Sequence, residues 1–168
     1  MTSAADSKPA AVLVPITNAA EPEVLLTLRA STLTAHSGQI AFPGGRIDGP
    51  EETIASAALR EADEEIGLAS RDVELLGMLD RHRTGTGYTI YPIVGLIPPA
   101  FTPVCNPDEV AEVFRVPLAF VMDPDNMTRH TIAEGARART FHALTYRHFF
   151  IWGATAAIIN NAQERWLI

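Results

Sequence analysis

Short aliphatic runs separated by turn-forming residues dominate the chain, and only two stretches hold a helical period. AVLVPIT (11–17) and EVLLTLR (23–29) flank the polar, proline-containing NAAEP, a pattern that predicts a strand hairpin. The polar loop ASTLTAHSG leads into QIAFPGG (39–45), a strand running into a Pro-Gly-Gly turn. GPEETIASAALREADEEIG (49–67) predicts the best helix: Pro50 and its neighbouring acids favour the start, and Gly67 reads as the C-cap. Ala55, Leu59, Ala62 and Ile66 form its apolar stripe. DVELLGMLD (72–80), YTIYPIVGLI (88–97) and AEVFRVPL (111–118) predict further strands, with NPDEV (106–110) as a turn. AFVMDP predicts a short helix ended by Pro124; TRHTI, RTFHALTYR and FFIW predict the late strands, and GATAAIINNAQERWL a closing helix. Strands outnumber helices in mixed order, so the expected class is α+β, a mixed sheet covered by two main helices.

The predicted central helix contains LREADEEIGL (59–68), where Glu61, Asp63, Glu64 and Glu65 crowd together. At about 100° per residue, Glu61, Glu64 and Glu65 share an arc of roughly 100° while Asp63 points elsewhere. Like charges at these spacings oppose each other, and Glu64 and Glu65 also sit at the negative end of the helix dipole. The plainer reading of such a run is a solvated acidic face. The chemical reading is a cradle for a hard divalent cation, which takes a few carboxylates and keeps several waters. Ile54, Ala57 and Ala58 are uncharged residues expected on the same face, where the small alanines would leave room above the acids. FPGG (42–45) precedes the helix, and a glycine turn lets backbone approach a metal or phosphate closely.

At 168 residues the chain is read as one domain (10–168) after a flexible lead-in (1–9). A net charge of −7 argues against a nucleic-acid or anionic-membrane binder, but not against a phosphate-bearing small molecule bridged by divalent metal. One cysteine, Cys105, rules out an internal disulfide and reads as a small buried filler. No run approaches the roughly 20 apolar residues of a membrane span, and MTSAADSKPA has no signal-peptide pattern, so the cytoplasm is the expected location. A homodimer is compatible with the chain.

GGRIDGPEETIASAALREADEEIGL resembles the Nudix box, G-x5-E-x7-R-E-U-x-E-E-x-G-U with U aliphatic. R-E-A-D-E-E-I-G-L matches the second half with Ala62 in the first aliphatic place. One extra residue between Gly45 and Arg60 puts Glu52 in register as the first box glutamate, with Glu51 its competitor. LLTLRASTLTAHSGQIAFPGGRID is similar to the added signature of the coenzyme A pyrophosphatases, with Thr34 where that signature has a second arginine. The resemblance implies a Nudix fold, an α/β/α sandwich with a loop-helix-loop catalytic motif, and Mg²⁺- or Mn²⁺-dependent hydrolysis of a nucleoside diphosphate derivative.

By position, the resemblance makes Glu64 and Glu65 metal ligands and Glu61 a ligand or the base for the attacking water. It adds the Gly44 carbonyl as a ligand, Arg60 as the residue orienting the glutamates, and Glu52 as their support or the holder of a further metal. Asp108, Glu109 and Glu112 are candidates for a distal carboxylate; Glu109 is preferred because it stands just before a strand. Arg29, Gly45 and His36 are the expected substrate contacts. RHR (81–83) with TGTGY (84–88) reads as a loop near the site mouth, and Trp152 as core packing under the last helix. The implied substrate is coenzyme A or an acyl-CoA. ADP-ribose, NADH or another nucleoside diphosphate derivative is the enzymatic alternative, and a non-catalytic nucleotide sensor the other.

Overall fold

Ten consecutive residues of two aliphatic strands form the spine. The computed structural model describes residues 7–32 and 38–166. Strand β1 (Lys8–Thr17) pairs in parallel with β7 (Tyr88–Ile97) along its whole length, from Lys8↔Tyr88 to Thr17↔Ile97. The other edge of β1 is shared. Near its end Ile16 meets Val24 of β2 (Glu23–Arg29), completing the predicted hairpin, while Ala10, Ala11 and Val12 pair with β4 (Gly44–Arg46). This split lets the glycine turn enter the sheet beside β1. It also makes Pro43 O the acceptor for Leu13 N, at 2.8 Å.

The remaining strands of this mixed sheet are β3 (Ile40–Ala41) and β8 (Val110–Pro117) on β2, and β5 (Glu74–Met78) and β6 (His82–Arg83) on β7. A separate antiparallel sheet joins β9 (Met127–Glu134), β10 (Arg137–Tyr146) and β11 (Phe149–Trp152). Helix α1 (Ile54–Ile66) covers one face of the mixed sheet, with Ala57, Ala58, Ala62 and Ile66 against Ala11, Leu13 and Leu25. The short α2 (Leu118–Met122), α3 (Gly153–Trp166) and the inner face of the second sheet cover the other, around Phe114, Phe149, Ile151 and Ile159. Mixed sheet and flanking helices match the class expected from the residue pattern. No helix among the described residues is long and apolar enough to cross a membrane.

Three expectations are corrected. Helix α1 starts at Ile54, after Pro50 and the acids Glu51 and Glu52. Thr53 and Ser56 bond reciprocally there as a capping box, a stronger start signal than nearby acids because it satisfies free backbone N–H groups. Ala57 and Ala58 are fully buried against the sheet, so they bring the helix close to it and leave no open room above the acids. Trp152 is 42% exposed on the outer face of β11: strand alternation turns Ile151 inward and Trp152 out. Gly67 does cap α1, at φ 71°, with its N–H directed to the carbonyls of Ala62 and Asp63. Cys105 is partly buried and packs beside the α1 core.

Removing the Thr53 hydroxyl should expose the first turn of α1. Thr53→Ala is expected to lower unfolding stability by about 1 kcal/mol, read as a lower urea midpoint at unchanged m-value.

Candidate active site

The small residues of α1 and β4 set the geometry of the acids. A Cβ on Gly45 would lie only 2.5 Å from Glu61 Oε1, and one on Gly44 would collide with Ala11 O and Val12. A side chain at Gly44 would push β4 away from β1, and one at Gly45 would displace the Glu61 carboxylate. With glycine at both, the Gly44 N–H reaches Glu65 Oε2 at 3.4 Å. Helical geometry places Glu65 between Ala57 and Ala58 around the helix, in the middle of the packed face, and only 5% of it is exposed.

The C-terminal end of α1 is tied to the loop before β8. Val104 N–H donates to Ile66 O at 3.0 Å and Asn106 N–H to Glu65 O at 2.9 Å, satisfying helix-end carbonyls. The same loop joins the end of β2, where Ala30 N–H donates to Glu109 O at 3.0 Å. Arg29, Glu65 and Glu109 therefore gather at one point. Glu109 Oε2 and Arg29 Nε are both buried without a hydrogen-bond partner among the described residues. Glu112, on β8, is exposed.

Arg60 organises the exposed half of the cluster. Its Nε donates to Glu52 Oε1 at 2.7 Å, and its Nη1 to Glu61 Oε1 at 3.0 Å and Glu64 Oε2 at 3.3 Å. Its Nη2 donates to Glu52 Oε2 and to Arg46 O, both at 3.2 Å, and pairs with Asp48 Oδ2 at 3.3 Å. Glu52, not the exposed Glu51, thus meets Arg60. Its Oε2 also accepts from Asp48 N at 2.6 Å, fixing the loop after β4. The roles of Asp48 and the Arg46 carbonyl as guanidinium partners went unseen in the sequence; the one-residue insertion that puts Glu52 in register was the available signal.

The electrostatics differ across the cluster. The Arg60 guanidinium holds Glu52 below its ordinary pKa, and Glu52 in turn raises that of Arg60. Burial pushes Glu61 up, partly countered by Arg60. Burial, then the charges of Glu61 and Glu109, push Glu65 up to about 8, against weaker help from Gly44 N–H and Arg29. One cation cannot neutralise this many acids.

A divalent cation fits the donor set, although no ready cage exists. Among the described residues no group of three acid, histidine or cysteine side chains stands in a metal-binding arrangement. Arg60 Nη1 donates to oxygens of both Glu61 and Glu64. Hard oxygen ligands, the orphaned Glu109 Oε2 and the weakly bonded Glu65 carboxylate suit Mg²⁺ or Mn²⁺, which need few protein ligands. Glu61, Glu64, Glu65 and Glu109 are the side chains able to hold it. Gly44 meets Glu65 through its N–H. Asp63 is exposed and away from the cluster. His36 and Thr34 lie outside the described residues. The RHR segment forms β6 at the same end of the sheet as β4: Ile90 pairs with both His82 and Ala10, and Ala10 with Arg46.

The fold is a mixed sheet with a glycine loop and a helix that present clustered carboxylates. The NUDIX domain family matches residues 7–138. The "Uncharacterized Nudix hydrolase NudL" of Cronobacter sakazakii is 41% identical over 162 residues, covering 95% of this chain and 83% of the relative. Among solved structures, the Nudix hydrolase RenU of M. smegmatis superposes with a TM-score of 0.57 at 25% identity, covering 68% of this chain and 73% of that one. A MutT/nudix family protein from Enterococcus faecalis gives a TM-score of 0.60 at 18% identity, over 99% of this chain and 64% of that one, a likeness of fold. The chain belongs to the Nudix hydrolase family. Its members are pyrophosphohydrolases that act on small molecules and generally use divalent metal, and this chain is an enzyme of that class.

Glu65 gives a pH test. Its carboxyl stays protonated in the metal-free native state up to about pH 8, whereas in the unfolded chain it ionises near 4.5. Stability of the metal-free protein should therefore fall as pH rises between those values. His82, lowered by burial from 6.5, works in the opposite sense below that value, so the decline is clearest above it. Denaturant titrations in a chelator should show the decline in the wild type and a much flatter profile for Glu65→Gln. Equal slopes would contradict the burial assignment.

Proposed function

We propose that this Nudix hydrolase cleaves the diphosphate of coenzyme A or its thioesters, releasing 4′-phosphopantetheine or its acyl form and adenosine 3′,5′-bisphosphate. The observation that carries the reading is the continuity between LLTLRASTLTAHSGQIAFPGG and the acid cluster. Arg29, at the end of the first part of that segment, acts on the charge of Glu65, and Gly44 and Gly45, at its close, touch Glu65 and Glu61. These contacts support reading the described ends of that segment and the acids as parts of one site. The buried Arg29 Nε, without a partner among the described residues, supports a contact with substrate phosphate.

Bound divalent cation supplies neutralisation of the diphosphate oxygens. The chain's own residues do the rest. Glu61, held by Arg60 and raised in pKa by burial, is placed to accept a proton from the attacking water. As the water oxygen bonds to one phosphorus, the bridging P–O bond breaks and its electron pair leaves with the other phosphate. Glu64, Glu65 and Glu109 hold cation, Arg60 keeps Glu61 and Glu64 aimed, and Gly45 keeps the space at Glu61 free. His36 belongs to the same substrate segment by sequence.

Purified protein incubated with Mg²⁺ or Mn²⁺ and coenzyme A, acetyl-CoA, ADP-ribose or NADH should hydrolyse the coenzyme A species fastest, with products identified by chromatography. A preference for ADP-ribose or NADH would overturn the substrate assignment and leave the hydrolase class intact. Glu65→Gln should lower kcat by orders of magnitude with the circular dichroism spectrum unchanged; near-normal turnover would remove Glu65 from the metal set. Gly45→Ala, which pushes against Glu61, should likewise depress kcat more than it raises KM.

A further inference from the structure

The second sheet carries a surface that the hydrolytic site does not use. Strand β11 covers β10 only over Ala143–Tyr146, so β9 and β10 continue beyond it as a two-stranded ribbon around Gly135. From Thr128 to Thr140 every residue of that ribbon is exposed. A two-stranded ribbon with neither face covered is marginal in water by itself.

One face of it has a definite chemistry. The pairing sets His130, Ile132 and Glu134 with Arg137, Arg139 and Phe141 on a common face that runs into Trp152 and Phe150 of β11, with Glu134 opposite Arg137. The rings touch in series: His130 is 5.2 Å from Phe141 and 6.0 Å from Phe150, and Phe141 is 6.1 Å from Trp152, between centroids. Ile132 is 50% exposed and Phe150 45%. On this face Arg137 and Arg139 stand with the acid Glu134, a formal +1; Arg129 on the opposite face and Arg147 in the turn after β10 bring residues 127–148 as a whole to +3. With −7 for the whole chain, the remainder carries −7 − 3 = −10.

We propose that this aromatic and basic face is a homodimer interface, each copy's ribbon lying on the acidic body of the other. Aromatic residues and arginine are what interface centres favour. The opposite charges of arm and body bring two copies together, and reciprocal docking closes as a two-fold dimer. The same strongly acidic body disfavours a nucleic-acid occupant.

Sedimentation equilibrium of the full chain across the micromolar range should show a dimer that weakens at high salt. Arg137→Glu with Arg139→Glu, and separately Ile132→Asp, should each weaken it by at least about tenfold while leaving turnover per chain unchanged. In the wild type, amide hydrogen exchange over 128–142 should slow as protein concentration rises, a readout that needs no variant to fold. A wild-type monomer throughout, a dimer unaffected by all three substitutions, or exchange independent of concentration would overturn the proposal. So would a monomer that binds a single-stranded oligonucleotide through this face.

Discussion

The close approach of α1 to the edge shared by β1 and β4 is the constraint on which the site depends. It exists because the facing residues are small: Ala57, Ala58 and Ala62 on the helix and Gly45 on the strand, while Gly44 lets β4 lie close against β1. At ordinary helix-to-sheet separation, Glu61 and Glu65 would reach solvent and behave as surface acids. At this separation Glu65 is enclosed and Glu61 lies under a glycine, so their charges are held where water solvates them poorly. The apolar core therefore supplies the force that keeps the carboxylates together, and the absence of Cβ atoms on the strand decides where they come to rest.

Arg60 limits the cost without removing it. Its planar fork serves Glu52 with two bonds and Glu61 and Glu64 from the third nitrogen, a division a lysine ammonium could not reproduce with the same geometry. Glu52 is consequently a firmly ionised anchor, while Glu65, out of Arg60's reach and beside Glu109, is not. The cluster has graded character: a neutralised outer part and an inner part whose charge is resolved only by a proton or a cation.

Much of this was legible before any coordinates. The hairpin, the late strands, both long helices and the glycine cap follow from local period and turn chemistry, which act over a few residues. What escaped the sequence depends on longer range. Pro50 and its acids offer an earlier start signal for α1 than the Thr53–Ser56 capping box, whose reciprocal bonds form only once the first turn is in place. Ala57 and Ala58 were placed on the open side because a stripe through Ala55, Leu59, Ala62 and Ile66 is compatible with two orientations, and only the packing against β1 selects one. Trp152 looked like core by size, yet the alternation of FFIW had to be phased by Ile151 and Phe149. Convergence of Glu109 with Glu65 joins residues 44 positions apart in the chain, and only its place before a strand hinted at it.

The departures from local consistency are not spread evenly. Through most of the molecule propensity, pattern and packing agree, as they must for a chain to select one fold. They disagree around α1, where an ionisable side chain occupies the centre of a packed helical face and like charges share a turn, and again along β9 and β10, where aromatic and aliphatic residues face solvent beside arginines. Neither departure stabilises the isolated chain. On the readings proposed above, a cation relieves the first and a covering surface the second. Because the two lie on different sheets and involve opposite signs of charge, salt, metal and pH act on them separately, and binding at one need not disturb the other.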